Sequence, residues 1–190
     1  MSFDDIYKSF EKEAKFWLEE LEKYNDVPFS EQSHDEEWTL AKLYSYLYSV
    51  CVNFYCTSIR ESIKEEKIIK GRKNFIGVKT FMNGKISKHS LKKFNKSFVP
   101  KHEALTVNEA KSKILLSMKS MFNLRTELKS VDAKQKIKHP IFGTLSLKNM
   151  YQLPELHFQA MEFIKDDIEA YIVSRKGVSS GEKSKSESDS

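Results

Sequence analysis

The stretch His139-Pro140-Ile141-Phe142-Gly143-Thr144-Leu145-Ser146, followed eleven residues later by His157, decides how the rest of this chain is read. A helix is expected to start after Gly143, because the Ser146 hydroxyl can cap the first free amides. Beyond it, Leu147, Met150, Pro154, His157, Met161, Ile164, Ile168 and Tyr171 recur at alternating steps of three and four. That spacing lines one face of a helix, so His157 is placed on the core seam. Pro154 lacks the amide that would bond to the carbonyl of Met150, which predicts a kink one turn before His157.

Three further helical stretches lie upstream. The first covers residues 3–24, with Phe3, Ile6, Tyr7, Phe10, Ala14, Trp17, Leu18 and Leu21 at helical spacing and Ser2 to Asp5 as its cap. The second is expected to open at a capping box, Ser33 to Glu36, and to run to about Lys64 along the seam Leu40, Leu43, Leu47, Val50, Phe54. The third opens at a second box, Thr106 to Glu109, carries Val107, Ala110, Ile114, Met118, Met121 and Phe122, and fades near Ser130. Between the second and third, from residue 67 to residue 105, the helical pattern lapses. Asn83-Gly84 suggests a short hairpin there, with residues 78–82 and 85–88 as its arms around a type I′ turn. A connection this long is what two parallel neighbouring helices need. The expected architecture is therefore all-α: an up-down-down-up four-helix bundle over residues 1–174, with a long basic crossover between helices 2 and 3. Residues 175–190, rich in Ser, Lys and Glu, form an expected disordered tail.

Composition narrows the function classes. With 190 residues, 39% hydrophobic and 12% aromatic, the chain can bury one substantial core. The longest charge-free run, residues 43–59, holds Ser, Tyr, Asn and Thr and falls short of the roughly 20 apolar residues of a spanning helix, so no membrane partner is expected. Nothing at the amino terminus resembles a signal peptide, and a reducing, cytoplasmic setting is expected. Cys51 and Cys56 lie five apart on one helix, roughly 140° of rotation from each other, and are expected to point in different directions. Charge is uneven: residues 1–66 hold 15 acids and 7 bases, whereas residues 67–102 hold 11 Lys or Arg and no Asp or Glu. Lysines interleaved with Phe75, Phe81, Phe94 and Phe98 suit phosphates and bases. A soluble loop with its phenylalanines tucked onto the bundle explains the same pattern, and nucleic acid is not the expected partner.

Two motifs resemble the DinB-like superfamily of four-helix metalloenzymes, also called DinB/YfiT-like. One is Trp38-Thr39 leading to Tyr46-Leu47, similar to the family's W-[ST]-x6-H-L; the other is the His139 to Ser146 segment, similar to H-P-x-F-G-x-L-[ST], with its helix. Family members usually hold zinc or nickel through one His on the second helix and an H-x-x-x-H pair on the fourth. Residue by residue, those positions are Tyr46, His157 and Met161 here.

The resemblance thus implies a ligand pocket at Tyr46, His157 and Met161, with His157 as the one residual metal ligand. A thioether suits copper(I) better than zinc, and a phenol is a poor ligand unless deprotonated. No cofactor is expected; if any is held, it is a divalent metal, zinc or nickel. The leading expectation is a degenerate DinB-like bundle that binds an unknown small molecule or a partner without metal catalysis. The alternative is a zinc- or nickel-dependent thiol transferase or hydrolase. Relatives often dimerise, which implies a homodimer. Without the metal, His157 is expected to be a buried histidine bonded to a neighbour such as Tyr46, and His139 to fix the loop before the last helix. The tyrosines 44, 46, 48 and 55 are expected mostly in the core, and His34, His89 and His102 on the surface.

Overall fold

The computed structural model of the protein describes residues 1–24, 29–30, 38–65, 69–98, 105–131 and 134–183. The chain is mostly helical, with one small two-stranded sheet. Helix α1 (Phe3–Leu21) begins at a capping box in which the Ser2 hydroxyl accepts from the Asp5 amide and the Asp5 carboxylate accepts from the Ser2 amide. The long second helical stretch has three parts: α2 (Leu40–Tyr48), a π-helical segment (Ser49–Cys56) and α3 (Thr57–Glu65). Two short helices follow, α4 (Phe75–Asn83) and α5 (Lys88–Ser97), and then α6 (Val107–Leu128), which opens at the expected Thr106 to Glu109 box. Strands β1 (Lys136–His139) and β2 (Gly143–Ser146) lead into α7 (Leu147–Lys183).

Helix α1 packs on α6 and α7; α2 packs on the same two helices, and so does the π-helical segment. Their apolar faces share one core that includes Phe10, Trp17, Leu43, Leu47, Ile114, Met121, Leu153 and Phe158. Buried tyrosines tie the layers together: the Tyr44 hydroxyl donates to the Trp17 carbonyl and that of Tyr151 to the Met121 carbonyl, both at 2.8 Å. A buried Lys165 ammonium bridges α7 to α1 through Glu20 at 2.9 Å and is held by Glu169 at 3.0 Å. Burial alone would lower the Lys165 pKa, but these hydrogen bonds outweigh it and raise it.

Several expectations are corrected here. The second helix starts at Leu40, because extended Thr39 turns its side chain to cap the Lys42 amide; the Ser33 to Glu36 box lies outside the described residues. The crossover is helical rather than a hairpin. Gly84 has φ 60°, but it ends α4 as a left-handed C-cap, with its amide bonded to the Thr80 carbonyl, instead of forming a turn between strands. The strands lie elsewhere, in the His139 to Ser146 segment: β1 and β2 pair antiparallel, His139 opposite Gly143. The chain at residues 72–74 docks along them, with the Thr144 amide on the Arg72 carbonyl and the Asn74 amide on the Phe142 carbonyl. Cys51 and Cys56 share a face, because π-helical turns bond residues five apart. Both are free and buried. Burial and the Cys56 contact push the Cys51 thiol well above its ordinary value. Pro154 lies inside α7, which continues through it to Lys183 and past the expected start of the tail; residues 184–190 lie outside the description. Among the described residues, no helix is long and apolar enough to cross a membrane.

Glycine geometry makes the docking of α4 testable. A Cβ on Gly77 would sit 2.3 Å from the Phe142 carbonyl oxygen, a backbone atom that cannot swing aside. Gly77→Ala is expected to cost about 2 kcal/mol or more in chemical denaturation. At Gly84 nothing lies within 4 Å, and Ala there should cost only the left-handed penalty of about 1–2 kcal/mol. Equal losses at the two positions would contradict the contact between α4 and the hairpin turn.

Candidate functional site

Tyr46 comes from the last turn of α2 and His157 from the third turn of α7, and the packing of these helices brings them together. The Tyr46 hydroxyl lies 2.8 Å from His157 Nε2. A second tyrosine, Tyr55, places its hydroxyl 3.1 Å from Nδ1 on the other side of the ring. Tyr46 in turn donates to the side-chain carbonyl of Asn95 on α5. Since Tyr46 has a single hydroxyl proton and gives it to Asn95, it accepts from Nε2–H. Nδ1 is then the acceptor and Tyr55 the donor. The order Tyr55 to His157 to Tyr46 to Asn95 is one directed chain of hydrogen bonds.

The surroundings are aromatic. His157 is 1% exposed, and Phe94 meets it edge-on at 5.0 Å between ring centres. Trp38 stands edge-on to Tyr46 at 5.4 Å. Burial, with a smaller contribution from His139, pushes His157 down to about 3, so the ring is neutral at physiological pH. Burial likewise raises Tyr46 and Tyr55 well above the ordinary phenol value. None of these groups carries charge near neutrality, and the chain has the polarity to hold a proton in place rather than to supply one.

His139 forms a second buried imidazole beside the first. Its Nδ1 accepts from the amides of Ile141 (3.1 Å) and Phe142 (3.2 Å), and its ring stacks on Phe142 at 4.5 Å. These bonds hold the turn between β1 and β2, the structural role expected for it. They also leave the proton on Nε2, which is buried without a hydrogen-bond partner. Burial pushes this histidine down to about 3 as well. The ring of Tyr55 stacks at 6.1 Å between the two histidines' neighbourhoods, parallel to His139 and edge-on to His157.

Of the residues singled out from sequence, Tyr46 and His157 are in direct contact. Met161 lies one turn further along α7, fully buried. Phe94 is core, and Phe81 and Phe98 are half-buried against it, so three of the four phenylalanines of the basic segment are turned inward. His89 is exposed; His34 and His102 lie outside the described residues. Asn95, Tyr55 and His139 were not singled out as members of the site. Asn95 comes from a helix whose existence was not expected, and Tyr55 faces inward because of the π-helical turns. Among the described residues, no three His, Cys, Asp or Glu side chains group in a way that could hold a metal ion. No protein-family model matches the chain, and neither a curated protein nor a solved structure matches it significantly.

Two expectations follow. Tyr46→Phe deletes a hydroxyl that satisfies both Nε2–H and the Asn95 carbonyl, and is expected to cost about 1–3 kcal/mol in urea denaturation; Tyr48→Phe, half-exposed, serves as the control. For pH, a histidine pushed below its ordinary 6.5 gives stability that is complete above that value and lost as pH falls toward 3. Glu13, raised to about 7 by burial and the neighbouring Glu162, acts in the opposite sense between pH 4.5 and 7. Glu155, raised by burial, acts in the same sense as Glu13, whereas the lowered carboxyls of Asp5, Glu20 and Glu109 act with the two imidazoles and leave net acid destabilisation, each imidazole contributing a slope of about 1.4 kcal/mol per pH unit at most. His157→Gln should flatten the dependence, and a denaturation midpoint that does not fall on acidification would contradict the neutral buried pair.

Proposed function

We propose that this chain is a DinB-like four-helix bundle of up-down-down-up topology in which hydrogen-bonded side chains occupy the family's metal position. It then serves as a small-molecule-binding or interaction protein without metal catalysis. The observation that carries the reading is the 2.8 Å contact between the Tyr46 hydroxyl and His157 Nε2. The two positions that the motif comparison aligns with facing metal ligands meet on facing helices, and the nitrogen that would bind the ion is engaged by a phenol. The packing of α1, the α2 to α3 stretch, α6 and α7, with a long connection before α6, supports the topology. Residues 1–174 are the bundle in this reading. The small-molecule ligand would be held by uncharged donors and acceptors among aromatic rings, and so would itself be uncharged and partly apolar. Free, buried Cys51 and Cys56 suit a reducing, cytoplasmic setting.

The reading is tested by rebuilding the site. The double variant Tyr46→His, Met161→His places imidazoles at both altered positions beside His157, giving the three-nitrogen set with an open position that zinc favours. In titration calorimetry with zinc and with nickel, the parent should bind weakly and the double variant about 100-fold more tightly or better. The gain should fade below about pH 6 as the imidazoles protonate. Equal affinities would mean that these positions are no relic of a metal site; tight binding by the parent would overturn the metal-free reading.

A further inference from the structure

Helix α4 is apolar on both sides. Its inward face carries buried Gly77 and Thr80, the first pressed on the Phe142 carbonyl, with half-buried Ile76 and Phe81 packed against the core. Its outward face carries Phe75, Val78 and Met82, at steps of three and four, and among the described residues the two ends of that stripe are the most exposed large apolar side chains: Phe75 at 82% and Met82 at 80%. An apolar stripe in water is unfavourable and is retained on a surface where something covers it.

The segment that carries the stripe is basic. Residues 69–98 hold nine Lys or Arg and no Asp or Glu. Arg72, Lys79, Lys85, Lys88, Lys92 and Lys96 are all exposed. A basic segment with an exposed apolar stripe on a short helix has the composition of an interfacial helix, whose apolar side chains enter the acyl boundary while the cations meet anionic headgroups.

We propose that the outward face of α4 docks the protein on an anionic lipid surface. Charge complementarity selects an acidic occupant, since no carboxylate in the segment offsets the cations. Size separates lipid from protein: three side chains on a nine-residue helix fall far short of the about 800 Å² per partner that a stable protein interface buries. A bilayer needs no matched surface and takes apolar insertion and headgroup attraction additively. Nucleic acid is disfavoured because Phe81, Phe94 and Phe98 are turned into the core, which leaves Phe75 as the one ring of the four free to stack. Docking of this kind lays the protein on one leaflet and requires no spanning helix.

The test is co-sedimentation of the full chain with vesicles of phosphatidylcholine alone or with about one-third phosphatidylserine. Expected is binding to the anionic vesicles, roughly tenfold weaker on neutral ones, and falling as salt rises from about 0.1 M to about 0.5 M. Phe75→Ser with Met82→Ser should reduce binding at least about tenfold, and so should Lys79→Glu with Lys85→Glu. All four side chains are exposed, and an unchanged circular dichroism melt certifies the fold of each variant. Absence of binding to anionic vesicles overturns the proposal, as does binding that neither variant weakens or that neutral vesicles match. Retention on a single-stranded oligonucleotide that only the lysine variant abolishes, without vesicle binding, would assign the segment to nucleic acid instead. A dimer dissolved by the Phe75 and Met82 changes, again without vesicle binding, would assign the stripe to a second copy.

Discussion

An imidazole in a dry core has two nitrogens to satisfy and no water to do it, and the placement of His157 imposes that condition on everything around it. One nitrogen requires an acceptor and the other a donor. Tyr46 and Tyr55 meet the two requirements from the same helical stretch, nine residues apart. Tyr46 can act as acceptor only because Asn95 takes its proton, so α5 is drawn onto the bundle by the same chain of bonds. The basic connection is thereby held to the core, and its Phe94 packs against both histidines.

Much of the fold was legible because helix starts are local. Ser2 with Asp5 and Thr106 with Glu109 form their boxes from residues three apart, and tertiary context has little to change. Ser146 does the same for the last helix, with the Asn149 amide on its hydroxyl. The misreadings concern signals with two meanings. A glycine with positive φ serves a type I′ turn and a helix C-cap alike, and Asn83-Gly84 does not say which. At Gly143, φ is 79° and a Cβ would lie 2.6 Å from the Asn74 amide nitrogen, a requirement set by residues far upstream in the sequence.

The pairing of Tyr46 with His157 was expected from the resemblance of two motifs to those of a known family, since periodicity alone left Tyr46 off the seam of its helix. The rest of the site was not. Tyr55 points at His157 because Ser49–Cys56 is wound in π-helical turns, for which the sequence carries no recognised signature. His139 is fixed by backbone amides of its own turn, so its residue type alone says nothing of the proton left on Nε2. Met161 remains a core side chain on the same helix face as His157.

The wide turns of Ser49–Cys56 also bear on how this chain can vary in length. A π-helical stretch takes in more residues for each turn than an α-helix does, so it stores chain without adding a loop. Loss of one residue there lets the segment relax to α-helical winding, in which the shorter chain covers about the same rotation. Helices α2 and α3 would then keep nearly their present relation, and Tyr46 and Tyr55 their aim at His157. Insertions and deletions in the connection carrying α4 have no such outlet, since Gly77 presses on the Phe142 carbonyl and Ile86, Leu91 and Phe94 are buried. The π-helical segment is therefore a place where this fold can give up a residue inside a helix.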